Sequence, residues 1–133
     1  MGIMKLKKVD VFKNVFILNL SGNKERLKIL TRRCSVSPDM KKSQNCELIV
    51  DAIRRSGSEL ESVHLCREDG VLFGRLLFRN SEGQKNIPIT SSEAIGVAHE
   101  LDKPIFAHDT GRGVLMEDYI GIPLNVIINA FFD

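Results

Sequence analysis

A chain of 133 residues, 43% hydrophobic and 27% charged, falls in the range of one globular domain with its own core. Folding at this length removes roughly two-thirds of the chain's surface from water, so neither disulfides nor a structural metal is required. No apolar run approaches the roughly 18 residues of a membrane span. The N-terminus lacks the apolar stretch and small-residue cleavage site of a leader, so a cytoplasmic setting is expected. The net charge of +2 hides an asymmetry: residues 1–50 carry eleven Lys and Arg against four acids, whereas residues 51–133 carry eight against thirteen.

In chain order, Leu6 to Val11 alternates charged residues with Leu, Val and Val, the pattern of a half-buried strand. Asn14 interrupts it, and VFILNL (15–20) follows as a more central strand. SGNKE (21–25) is a turn by composition, and RLKILT (26–31) returns as the third strand of a meander. Beyond a polar connection containing Pro38, the period changes. Leu48, Ile49, Ala52 and Ile53 predict the buried stripe of a helix over 43–55, with Ser43 as N-cap, Arg54 and Arg55 at its C-terminal end and Gly57 as its stop.

Residues 60–68, 71–78 and 85–90 read as three further strands, joined by turns at Asp69-Gly70 and at Asn80 to Gly83. Thr90-Ser91-Ser92-Glu93 has the form of a capping box. Ala94, Ile95, Ala98 and Leu101 then give a second amphipathic helix, and 104–107 a short strand. HDTGRG (108–113) reads as a glycine-hinged loop, VLMEDYIG (114–121) as one or two helical turns, and the apolar tail 123–133 as a surface for self-association. The two halves share one outline of three strands and a helix. The expected fold is therefore α+β: a single mixed sheet built from two strand-strand-strand-helix units, with the helices packed on it. One domain spans 1–133, with its core at about 5–107 and a C-terminal extension over 108–133.

Few groups carry an obvious chemistry. Cys34, Cys46 and Cys66 form no CxxC pair and are expected to be buried, reduced thiols. TGRG (110–113) matches no phosphate-loop pattern. His64, His99 and His108 are each candidates for acid–base work, and His108 beside Asp109 is the most accessible of them. Glu93 and Glu100 share a helix face, but seven residues of rise separate them by roughly 10 Å, too far to share one ion. Glu47 and Glu93, each near a helix start, could hold a divalent cation if those starts are neighbours; both also suit a first helical turn with no further role. Lys24, Arg26, Lys28, Arg32 and Arg33 crowd the basic half. They suit a phosphate backbone or, with no aromatics interleaved as stacking platforms, a guarded strand edge.

Phe73-Gly74-Arg75-Leu76-Leu77-Phe78, Ser92-Glu93-Ala94-Ile95-Gly96-Val97-Ala98 and Pro104-Ile105 resemble the motifs of the bifunctional nuclease domain family, small bacterial and plant proteins associated with cleavage of DNA and RNA. That family shows Phe-x-Ala-Arg-Leu-x-Leu, then an Arg-Pro-Ser-Asp-Ala-Ile-Ala-Leu-Ala helix and Pro-Ile. Pro88 and Thr90 stand where the family has an aspartate and an arginine, and Cys46-Glu47 where it has His-Asp. The resemblance implies a nuclease-like protein performing metal-assisted phosphodiester hydrolysis. Glu47 and Glu93 would be its catalytic and metal-holding residues, the cation magnesium or manganese, and the residues at 24–33 its contacts to DNA or RNA. The alternative is a catalytically degenerate, oligomeric nucleic-acid-binding or regulatory module.

Overall fold

The computed structural model describes residues 2–12, 14–32, 34, 36, 44–69, 71–108 and 113–116, together with 125 and 128. The elements are β1 (Ile3–Phe12), β2 (Val15–Ser21), β3 (Arg26–Thr31), α1 (Gln44–Ser56), β4 (Glu59–Glu68), β5 (Val71–Asn80), β6 (Gly83–Ile89), α2 (Ser91–Leu101), β7 (Ile105–His108) and β8 (Gly113–Met116). They form the expected α+β architecture, one mixed sheet of order β6-β5-β4-β7-β1-β2-β3-β8. Two antiparallel triplets, each followed by a helix, make up most of it. β7 joins them, parallel to β4 and antiparallel to β1.

Alternation along the strands sorts the side chains between two faces. Val63, Leu65, Leu72, Leu76, Phe78, Ile105, Met4, Leu18, Leu20, Leu27 and Ile29 point to the face carrying the helices and form one buried cluster with Val50, Ile53, Ala94, Ile95, Val97 and Ala98. α2 lies directly on the sheet, with Ser91, Ser92 and 94–98 buried. Gly74 on β5 permits this approach, since a Cβ there would lie 2.4 Å from Ala94 Cβ and 3.0 Å from the Thr90 carbonyl oxygen. The capping box at the start of α2 is formed. Thr90 Oγ1 accepts from the Glu93 amide at 3.2 Å and donates to Glu93 Oε1 at 2.7 Å. At the other end Asp102 takes the left-handed conformation, and the amide of Lys103 donates to the carbonyl of Ala98 at 2.9 Å.

Four details differ from the sequence reading. α1 turns Cys46, Val50 and Ile53 inward while Leu48 is 70% exposed and Ala52 exposed. The buried stripe is thus rotated about one residue from the expected one, because Cys46 serves as an apolar residue. Residues 114–116 are a strand rather than helical turns, since β8 finds a parallel partner in β3, with Lys28 opposite Val114. Of the three thiols only Cys46 is buried; Cys34 and Cys66 are partly exposed, and none of the three is in a disulfide. His108 closes β7 as a half-buried residue instead of opening a loop. Ser43, Pro38, Asp109, TGRG up to Arg112, and the tail but for residues 125 and 128 lie outside the described residues. No described helix is long and apolar enough to cross a membrane.

Candidate functional site

The sheet face turned away from α1 and α2 carries most of the polar chemistry. On β4 it presents Ser62, His64 and Cys66, opposite Leu77, Arg75 and Phe73 of β5. On β6 it presents Gln84, Asn86 and Pro88, and on β7 Phe106 and His108, beside His64 and Cys66. Towards β2 and β3 the same face bears Val15 and Leu30, both wholly buried, so that end is covered. At the β4–β5–β7 end lies an open cleft of about 540 Å³, walled by His64, His108, Arg75, Phe73, Gln84 and Asn86 and bordered by Arg67 and Glu68.

Two side-chain systems organise the cleft. The first is a chain of hydrogen bonds in which Ser62 Oγ lies 2.9 Å from His64 Nε2, and His64 Nδ1 lies 2.6 Å from His108 Nε2. The His64 ring stacks on Phe106 at a centroid distance of 5.3 Å and on His108 at 4.8 Å, which fixes its plane. Burial, reinforced by His108, holds the His64 pKa below its ordinary 6.5 against an upward pull from Glu61, so the ring is neutral at neutral pH.

The second system is Arg75, whose guanidinium sits over the Phe73 ring at 5.2 Å while its Nε is buried without a hydrogen-bond partner among the described residues. A charged donor withdrawn from water and unmatched is costly. It is the feature of the cleft that most directly asks for an acceptor. Nearby, Arg79 is engaged, its Nη2 2.8 Å from Glu61 Oε1, with Gln84 Nε2 donating to Glu61 Oε2 at 3.2 Å. The bulge between Leu60 and Ser62 turns Glu61 towards these partners.

The carboxylates singled out by sequence lie elsewhere. Glu47 lines a smaller cleft of about 220 Å³ with Val50, Asp51, Arg54 and Glu100. It therefore stands beside the last turn of α2 instead of its first. Glu93 is at that first turn, engaged with Thr90, roughly 10 Å of helical rise from Glu100. Among the described residues no three His, Cys, Asp or Glu side chains form a group that could hold a metal ion, so they build no centre for magnesium or manganese. Of the basic residues, Lys24 is exposed in the β2–β3 turn and Arg26 and Lys28 point from β3 to the far face. Arg32 is exposed just beyond β3, and Arg33 lies outside the described residues.

The His64–His108 pair was not apparent from sequence. The two residues are 44 positions apart and meet only because β7 docks parallel to β4 with Phe106 opposite His64. Arg75 was visible as part of a motif, but its orphaned donor is a property of the folded cleft. No protein-family model matches this chain, and a comparison with curated proteins finds no match.

Proposed function

We propose that this chain is a cytoplasmic nucleic-acid-binding module, a catalytically degenerate relative of the bifunctional nuclease domains that it resembles, and that it grips a phosphodiester backbone in the cleft on the far face. The observation that carries this reading is Arg75, whose buried Nε has no hydrogen-bond partner among the described residues. A phosphate oxygen satisfies such a donor with a charge-assisted bond. Phe73 beneath the guanidinium offers a stacking surface, and Gln84 and Asn86 offer amides at the rim. Lys5 on β1, exposed, lies on the same face two strands from β4 and two residues along from Ile3, which pairs with Phe106 beside His64, roughly 12 Å from His64, and extends the positive surface along the path of a single strand. Glu93 serves as a helix cap on this reading.

The test is fluorescence anisotropy with labelled single- and double-stranded DNA and RNA, with and without magnesium or manganese. Binding without cleavage is expected, with an affinity that falls steeply with salt; Arg75→Gln should weaken it and reduce the salt slope by about one. Metal-dependent cleavage lost in both Glu47→Ala and Glu93→Ala, with folding intact, would replace this reading by hydrolysis. Absence of both binding and cleavage would refute either.

A further inference from the structure

We infer that the His64–His108 pair is a second anion-contacting group of the far-face cleft, neutral while the cleft is empty and charged by one added proton when a phosphate bonds Arg75. Affinity for a nucleic-acid backbone therefore rises as pH falls. The inference rests on the binding proposed for this cleft and adds its regulation by protons.

The two rings form one titrating unit. His64 Nδ1 and His108 Nε2 lie 2.6 Å apart, with one proton between them in the neutral pair. His64 Nε2 lies 2.9 Å from Ser62 Oγ, and the His108 side chain makes no other hydrogen bond among the described residues. In one neutral arrangement His64 Nδ1–H donates to His108 Nε2, and the Ser62 hydroxyl donates to His64 Nε2. In the other, His108 Nε2–H donates to His64 Nδ1, and His64 Nε2–H donates to Ser62 Oγ. One added proton brings both to the same state. His64 Nε2–H then donates to Ser62 Oγ, one proton stays between the rings, and His108 Nδ1–H is left as a donor of a cationic pair. The other donors of that cation are matched within the protein, so the remaining one serves the ligand.

The surroundings decide when the proton is taken up. Arg75 stands opposite His64 on β5 and Arg67 borders the cleft; both oppose a further positive charge while the cleft is empty. Lys5 on β1, beyond β7, adds to that opposition. On β7, Phe106 stacks on the His64 ring at 5.3 Å. Cys66, opposite His108, contributes a thiol rather than a fixed charge, and Gln84 and Asn86 on β6 are uncharged. Glu61 draws the proton in but is engaged by Arg79 and Gln84, and Glu68 stands at the border. Burial and the second ring complete the bias towards the neutral pair. A phosphate on Arg75 reverses it, offsetting the guanidinium and bringing negative charge to the strand beside His64. Side chains directly opposite across strands start about 4.5–5.5 Å apart. An opposite charge at about 4–6 Å moves a titrating group by one pKa unit or more, and one unit is tenfold in binding. The two arginines against Glu68 in the cleft lining suit an anion in the same way.

The test is anisotropy with a labelled single-stranded oligothymidylate, whose phosphodiesters and bases do not titrate between pH 5.5 and 7.5, at constant ionic strength and without divalent metal. Affinity should be about tenfold higher at pH 5.5 than at pH 7.5. Calorimetry in two buffers of different ionisation heat should show proton uptake on binding, up to about one per site. His108→Gln should lose most of the pH dependence, whereas His99→Gln, at an exposed position on α2, should retain it. Should His108→Gln fail to fold, the ring-proton shifts of wild-type His64 and His108 replace it, and their titration should move to higher pH when the oligonucleotide is bound. Salt-sensitive binding that is equal at both pH values, or a pH dependence unchanged in folded His108→Gln, would overturn the inference and leave the binding itself standing. Absence of binding at either pH would refute the binding, and the inference with it.

Discussion

Replacing Gly74 with alanine tests how α2 is seated on the sheet. The added methyl would sit 2.4 Å from Ala94 Cβ and 3.0 Å from the Thr90 carbonyl oxygen. Carbon–carbon contact needs about 3.5 Å or more, so helix and strand must part by roughly 1 Å at the point where the Ala94 amide bonds the Thr90 carbonyl. Overpacking of this kind costs about 1–3 kcal/mol. Gly74 lies outside the positive-φ set, so alanine adopts its backbone without strain and recovers about 0.5–1 kcal/mol through the unfolded chain. The net expectation is a loss of about 1–2 kcal/mol, read as a lower urea midpoint at unchanged slope. The companion variant Ala94→Gly removes the opposing methyl. It should cost about 1 kcal/mol alone yet partly rescue Gly74→Ala, giving a non-additive cycle. A Gly74→Ala protein as stable as wild type, or a strictly additive cycle, would refute this account of the helix–sheet contact.

Other outcomes follow from the same structure. Thr90→Ala removes the oxygen that accepts from the Glu93 amide and should cost about 1 kcal/mol in thermal or urea unfolding; Glu93→Gln keeps the cap and should cost less. Leu48→Lys changes a residue that is 70% exposed and should alter stability by less than about 0.5 kcal/mol, whereas a stripe centred on Leu48 would predict severe loss. Because the pKa of His64 is lower in the folded chain than the ordinary 6.5, the unfolded state binds the proton more readily. Stability from this group is therefore full above pH 6.5 and lost as pH falls towards the folded-state value. Urea titrations in chelator at pH 7.5 and 5.5 should show that loss in wild type and a smaller one in His64→Gln; equal losses would contradict it.

The elements were legible where periodicity was strong. β3 over 26–31 matches residue for residue, and the Thr90–Glu93 box announces α2, because both signals are local. β8 was missed for the opposite reason: four residues acquire strand structure only by pairing in parallel with β3, about 86 positions away. The buried face of α1 was misjudged by one residue, because Cys46 packs as an apolar side chain and Leu48 faces solvent. The cleft was the least legible part. Its walls come from β4, β5, β6 and β7, and the strand order that assembles them is not encoded by any local pattern. The histidines, each a separate candidate by sequence, acquire meaning only as a pair.

Amide chemical-shift mapping during titration with a short single-stranded oligonucleotide shows where the ligand enters the protein. With the ligand in the far-face cleft, shifts concentrate at His64, Phe73, Arg75, Asn86 and His108 and diminish in Arg75→Gln. Shifts confined to α1 and α2, around Glu47 and Glu93, would contradict it.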